Sequence, residues 1–406
     1  MATKRQIRRP LCRLFHSSNN TCIHEDLIPI HQLGHNPHIY RISPDHVQKA
    51  PSQPEYVGLG VLCMTLSHRI SRIRTQGDSK ALVQKFYHYR GNAIRSLSQA
   101  IDTTDRRFDD AVLAGILLLL LVDVQQGTSS TWRYHLDAIH KVVEARGGLP
   151  RLDASWGLQP LLRSFVMFSV IGNTTCPVPR ITMAEWHLHK IHYITEQQSQ
   201  GPTPFQLCPP VLFGEIIAIN AIRTRTSVKS YGTIREAYEI LERIHEFSPA
   251  LWAKSKPIGR EHWELAGQVY QAAVALYCIL SSQSAFILPH DAMLPAYRAG
   301  HAQSLHMLLT DALSNPRIKR FMLWPLVVLG VEAANMEPAV RVCVAGRLAD
   351  LSHHVGSYAP VEAKLVLETF WASGDTGWDS CFDKPYAFVT QSAVDLTGIP
   401  PSSGPV

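Results

Sequence analysis

The residues best placed to do chemistry are Glu185, His189, His192 and Glu196, in and just after the run Glu185-Trp186-His187-Leu188-His189-Lys190-Ile191-His192. Carboxylates and imidazoles bind divalent ions, and spacings of four, three and four residues carry these side chains along one side of an α-helix. The same pattern also describes a plain polar outer face, because acids and imidazoles at i,i+4 support an exposed helix. Carboxylate metal sites in bundles draw ligands from several facing helices, and no other stretch identifies the remaining ones. No metal ligand is assigned.

A second group of potential ligands is Cys12, Cys22, His24, His31, His35 and His38. Structural zinc sites favour close cysteine pairs, which shorten the loops to be ordered. Here the two cysteines stand ten apart, so a polar arm is the expected reading. His135 and His140 flank Leu136-Asp137-Ala138-Ile139; a catalytic histidine needs a partner nucleophile or acid, and capping or helix–helix packing is expected instead. There is no Gly-rich loop ending in Gly-Lys-Ser/Thr, no Gly-x-Gly-x-x-Gly after a strand, no Gly-x-Ser-x-Gly and no His-Glu-x-x-His. No catalytic, cofactor-binding or metal-binding residue is assigned, no cofactor is implied, and the chain is not expected to be an enzyme.

The elements that would position these residues read as helices almost throughout. Helical patterning begins at Val57 and runs to Ile73, and Gly77-Asp78-Ser79 then makes a turn. From Lys80 to about Ala100, Leu82, Val83, Phe86, Tyr89, Ala93, Ile94 and Leu97 recur at three- and four-residue spacing, the mark of one buried face. Asp109 and Asp110 suit a helix N-terminus, and the segment Ala111–Val122 that follows is apolar on every side and belongs at the centre of a bundle. Ser129, Ser130 or Thr131 is expected to cap the helix from Trp132 to Arg146, which Gly147-Gly148 stops. Further helices are predicted at about 158–171, 183–198, 211–228, 233–247, 260–284, 291–314, 322–335, 338–355 and 361–373. Period-two alternation is scarce and no fixed repeat occurs, so neither a sheet nor a solenoid of identical repeats is expected. The fold class is all-α, a multi-helix array of antiparallel helices.

Residues 1–56 are rich in Pro, His and basic residues and read as a flexible arm. Residues 57–390 read as the helical domain, with a possible internal boundary near 199–210, and 391–406 as a disordered tail. The net charge of +6 is largely a property of the arm: Lys4, Arg5, Arg8, Arg9 and Arg13 precede the first acid, Glu25, and without them 34 basic residues face 33 acidic ones. Such a body does not grip phosphate backbones unaided. Eight cysteines with no C-x-x-C pair fit a reducing compartment. The strongest apolar run spans 12 residues, against the roughly 20 a membrane span needs, and no secretory signal is read at the N-terminus. Lys4-Arg5-Gln6-Ile7-Arg8-Arg9 resembles a short nuclear-import patch. The same stretch, with Ile7, Leu11, Leu14 and Phe15 opposite Arg8, Arg9 and Arg13, also has the pattern of a mitochondrial presequence, although Pro10 weakens the helix that reading needs.

The stretch Tyr87–Leu152 resembles the regulatory region of fungal zinc-cluster transcription factors, the fungal-specific transcription factor domain. The features that carry it are a helix ending near Ile101, the apolar Ala111–Val122 helix with an acid at its end, and Trp132-Arg133-Tyr134-His135-Leu136-Asp137-Ala138 running into Val142-Val143-Glu144-Ala145-Arg146-Gly147-Gly148. Trp324-Pro325-Leu326-Val327-Val328-Leu329-Gly330-Val331-Glu332-Ala333 is similar to a second landmark, and Phe370-Trp371 and Gly377-Trp378 fit a C-terminal helix and its following loop. The resemblance covers roughly residues 57–390. It implies a nuclear transcriptional regulator or co-regulator, working through a helical effector and dimerisation module with other transcription factors or co-regulators as partners. It also implies a homo- or heterodimer, and control of secondary-metabolite or nutrient-response genes. Factors of this kind read DNA with six clustered cysteines; only Cys12 and Cys22 lie near this N-terminus, which puts direct DNA contact in doubt. The competing expectation is a helical metal-dependent or mitochondrial enzyme using the Glu185/His189/His192/Glu196 face. The aromatic set Trp324, Trp371, Trp378, Tyr386 and Phe388 reads as core, with an apolar ligand pocket as the alternative.

Overall fold

In a computed structural model of the chain, the residues described are 33, 39–41, 53–72, 76–103, 108–127, 131–152, 158–199, 208–225, 231–289, 293–390 and 393–395. They form sixteen α-helices: α1 (Glu55–Arg72), α2 (Gln76–Asp102), α3 (Asp110–Gln126), α4 (Trp132–Ala145), α5 (Leu149–Leu152), α6 (Gln159–Thr174), α7 (Ala184–His189), α8 (Ile191–Ser199), α9 (Pro210–Thr224), α10 (Tyr231–Glu246), α11 (Pro249–Lys254), α12 (Arg260–Ser284), α13 (Met293–Ser314), α14 (Leu323–Glu332), α15 (Pro338–Val355) and α16 (Ala359–Ser373). The fold is all-α, as the helical periodicity predicts.

The apolar patterning explains the layering. α3, apolar all round, is buried from Val112 through Val124 apart from Ala114, and it is enclosed by α1, α4 and α6. Its end is set by Gly127, whose φ of 64° is reached without strain only by glycine; the Gly127 N–H closes the helix on Asp123 and Val124. A second centre forms around α12, which packs on α9, α10, α11, α13 and α14. α9 links the two centres, since it also packs on α6, α7 and α8. The α15–α16 hairpin closes the array by reaching back to α1 and α3. α12 is long and apolar enough to cross a membrane, but most of it is enclosed by neighbouring helices. That is how a core helix passes a hydropathy test.

Several local expectations are corrected. The single helix predicted at 183–198 is broken at Lys190 into α7 and α8. Two short helices, α5 and α11, were too brief to show a period. Ile94 lies at the rim of α2, 37% exposed, although its spacing had placed it on the buried face. Thr131 precedes α4, yet its hydroxyl makes no cap. The chain also holds a short parallel pairing of β1 (Ile39–Arg41) with β2 (Ala393–Asp395), in the register Ile39 to Ala393, Tyr40 to Val394 and Arg41 to Asp395. Three residues are too few for alternation to reveal, and the whole helical array serves as the crossover between them.

Candidate functional site: a polar hub at the end of α6

The last turn of any α-helix leaves carbonyl oxygens without intrahelical partners and gathers partial negative charge. At the end of α6 this cluster is buried, and side chains from five other segments gather around it. Arg223 of α9 is fully enclosed. Its Nη1 donates to the carbonyls of Asn173 (3.1 Å) and Thr174 (3.3 Å) and to Tyr277 Oη (3.0 Å). Its Nη2 donates to the carbonyl of Cys176 (3.1 Å) and to Asp379 Oδ1 (2.6 Å). Tyr277 in turn donates to Asn220 Oδ1 at 2.6 Å, and Asn220 Nδ2 to the carbonyl of Val170 at 2.9 Å. Two indoles reach the same turn: Trp378 Nε1 donates to the Thr174 carbonyl and Trp324 Nε1 to Thr174 Oγ1, both at 2.8 Å.

Arg133 of α4 comes from the other side. Its guanidinium donates to Thr182 Oγ1 (2.7 Å) and Asn173 Oδ1 (3.2 Å), and it stacks on the neighbouring Trp132 ring at 4.8 Å. Trp132 lies so close to Gly172 that a Cβ there would sit 2.7 Å from the indole; glycine is what lets the ring seat on α6. Burial works against the Arg223 charge, but Tyr277 and Asp379 outweigh it and hold the guanidinium above its ordinary range. Burial pushes the Tyr277 phenol up to about 12, so it stays a neutral donor.

A second polar cluster closes the end of α3. Arg90 grips Asp123 with two hydrogen bonds of 2.9 and 3.0 Å, Thr131 donates its hydroxyl to the same carboxylate, and His135 Nε2 lies 3.2 Å away. Burial alone would raise the Asp123 pKa. The hydrogen bonds from His135 and Thr131, with the charge of Arg90, prevail and lower it.

These clusters can hold a charge in place, but they expose no nucleophile and no open coordination position. His187 is likewise interior: its Nε2 is 2.7 Å from Ser169 Oγ, and burial pushes its imidazole down to about 3. Lys256 sits between Trp252 (4.7 Å) and Trp263 (5.0 Å), and burial lowers its amine to about 8.

The residues singled out for metal chemistry do not come together. Glu185, His189, His192 and Glu196 are all exposed, and the break at Lys190 interrupts the face they were to share. Glu185 pairs with Arg225 at 3.1 Å, and His189 Nδ1 lies 2.7 Å from the Glu185 carbonyl. Among the described residues no group of three histidine, cysteine or acidic side chains is arranged to hold an ion. Cys12, Cys22, His24, His31, His35, His38 and the basic run Lys4–Arg13 lie outside the described residues. His135 serves Asp123, and His140 packs edge-on against Trp186 at 5.0 Å. Trp324, Trp378, Tyr386 and Phe388 are buried core and Trp371 is packed against it. A shallow cleft elsewhere is lined by other residues, among them Leu149, Leu162, Val166 and Tyr193.

Sequence reasoning missed Arg223 and Asp379. The available signal was a base and an amide, Arg223 and Asn220, three residues apart, the amide within and the base at the end of the apolar stretch 216–222 of α9. Polar groups so placed are buried only when satisfied.

The hub also explains why distant motifs go together. Trp132-Arg133, Trp324 and Trp378, which lie far apart in the chain, all meet at the last turn of α6. The fold is a helical array organised around an internal polar clasp. The chain belongs to the family described as the fungal specific transcription factor domain, which it matches over residues 46–389. It is 44% identical over 387 residues to a protein named phomenoic acid biosynthesis cluster-specific transcriptional regulator, from Leptosphaeria maculans; the match spans 94% of this chain and 74% of that one. No solved structure matches the chain. The protein is a transcriptional regulator and not an enzyme.

Proposed function

We propose that the chain acts in the nucleus as a regulator or co-regulator of the genes of a secondary-metabolite cluster. It does so through helix faces that engage other regulatory proteins, as a homodimer or as the partner of a zinc-cluster factor. The observation that carries this reading is the convergence of the tryptophan landmarks Trp132, Trp324 and Trp378 on a largely buried hub: their work is to fix the shape of the array, and the outer faces are left for partners. The name of the Leptosphaeria maculans relative supports the cluster-specific part. In this reading DNA is reached through the zinc cluster of a partner factor, since the 406 residues themselves carry no six-cysteine run.

The test is genetic. Deleting the gene should lower, or for a repressor raise, transcripts of one contiguous set of biosynthetic genes while leaving the rest of the transcriptome nearly unchanged. A scattered or absent response would remove the cluster-specific reading. A fluorescent fusion should accumulate in nuclei, and a mitochondrial signal that depends on the first 20 or so residues would overturn the location.

A further inference from the structure

α2 is an edge helix. It lies along α1 and touches α3, burying Phe86, Ala93 and Leu97 on its inner side. Beside that buried face, Tyr87, Ile94 and Ile101 remain 60%, 37% and 40% exposed. They stand seven residues apart, so they line up over about 21 Å of helix, and seven-residue spacing is how one helix offers a continuous seam to another. Exposed Lys80 continues the register one heptad earlier. A Cβ at Gly91, next to the seam, would meet nothing within 4 Å, so a partner backbone can approach closely there.

The charge around the seam has one sign. No acid occurs between Asp78 and Asp102, while Lys80 and Arg95 beside the seam, and His88 further round, are exposed and Arg90 is spent on Asp123. We propose that this face of α2 binds an acidic amphipathic helix of a partner protein. The partner's apolar residues seat on Tyr87, Ile94 and Ile101, and its carboxylates face Lys80 and Arg95. A second copy of the same face would bring like charges together, which disfavours self-pairing. Nucleic acid would use the bases but has no need of a heptad-spaced apolar seam. The proposal rests on the reading that outer helix faces are the working surfaces, and it names the chemistry of one partner.

The test uses the full chain and fluorescence anisotropy. The probe is a synthetic helix of about three heptads with leucines on its seam and glutamates flanking them, and the control replaces the glutamates with lysines. The acidic probe should bind at least tenfold more tightly than the control and weaken several-fold when salt rises from roughly 50 to 500 mM. Paired exchange of Ile94→Ser and Ile101→Ser should cost tenfold or more in affinity with an unchanged melting temperature. Should that pair disturb folding, Lys80→Glu with Arg95→Glu, both on exposed positions, should reverse the preference toward the lysine probe. Equal binding of both probes, indifference to both variant pairs, sedimentation showing self-association through this face, or a preference for duplex DNA over the acidic probe would each overturn the proposal. If the probe fails while gene deletion still silences a cluster, the docking site falls and the regulatory reading stands.

Discussion

Arg223 concentrates the interior's electrostatic risk in one side chain. It is enclosed, and its positive charge is met by Asp379, Tyr277 and three carbonyls. Arg223→Met should therefore destabilise the fold by about 3–5 kcal/mol, because the partners are left buried and uncompensated. Asp379→Asn should cost less, since that carboxylate is 25% exposed and water can replace part of its role. Urea unfolding of the two single variants and the double variant should show a double cost smaller than the sum. Asp123 predicts a pH dependence. Its folded pKa is lowered, so its contribution is complete above the unfolded value near ~3.9 and is lost as the pH falls through the lower folded one. The stability gap between wild type and Asp123→Asn should close on acidification below about pH 4. Glu362 has the opposite sign. Burial raises it to about 7, against the pull of Lys384, so wild type should lose stability relative to Glu362→Gln as the pH rises toward that value. A wild-type advantage that grows over this range would contradict the burial argument.

At the scale of elements, close approach between helices matters as much as hydrophobicity. Gly172→Ala would place a methyl group 2.7 Å from Trp132, and overpacking of this kind costs about 1–3 kcal/mol. Its melting temperature should fall, whereas an alanine at Gly346 of α15, which meets nothing within 4 Å, should be neutral or slightly stabilising. The kink at Lys190 carries its own expectation. With Glu185 committed to Arg225 and the histidines exposed, dialysis against a chelator should leave the melting temperature unchanged. A drop restored by zinc would revive the metal reading.

At the scale of the whole molecule, the hub joins segments from both sides of the passage at 199–210. α6 and α4 contribute from before it, and Arg223, Tyr277, Trp324, Trp378 and Asp379 from after it. Residues 57–199 expressed alone should then fail to give a protease-resistant, cooperatively melting domain, because the end of α6 would lose the guanidinium and both indoles that satisfy it. A stable fragment with native-like helicity would show that the passage separates two independently folding units.

The legible part of this protein was its local periodicity. The positions of most helices, the central place of the Ala111–Val122 segment and the landmarks that carry the family resemblance all depend on residues within a few turns of one another, and a linear pattern records such neighbours directly. The β1–β2 pairing, the exposure of Ile94, the break at Lys190 and the assembly of the hub did not show in that pattern. Each depends on which distant surface meets which. The sequence shows Arg223 beside an apolar stretch but not its partners: the carbonyls of α6, nearly fifty residues earlier, and Asp379, far later, come around it only in the fold. Spacing along the chain therefore specified the helices. Only their packing in three dimensions decided which polar groups are buried together and which faces of the array remain open.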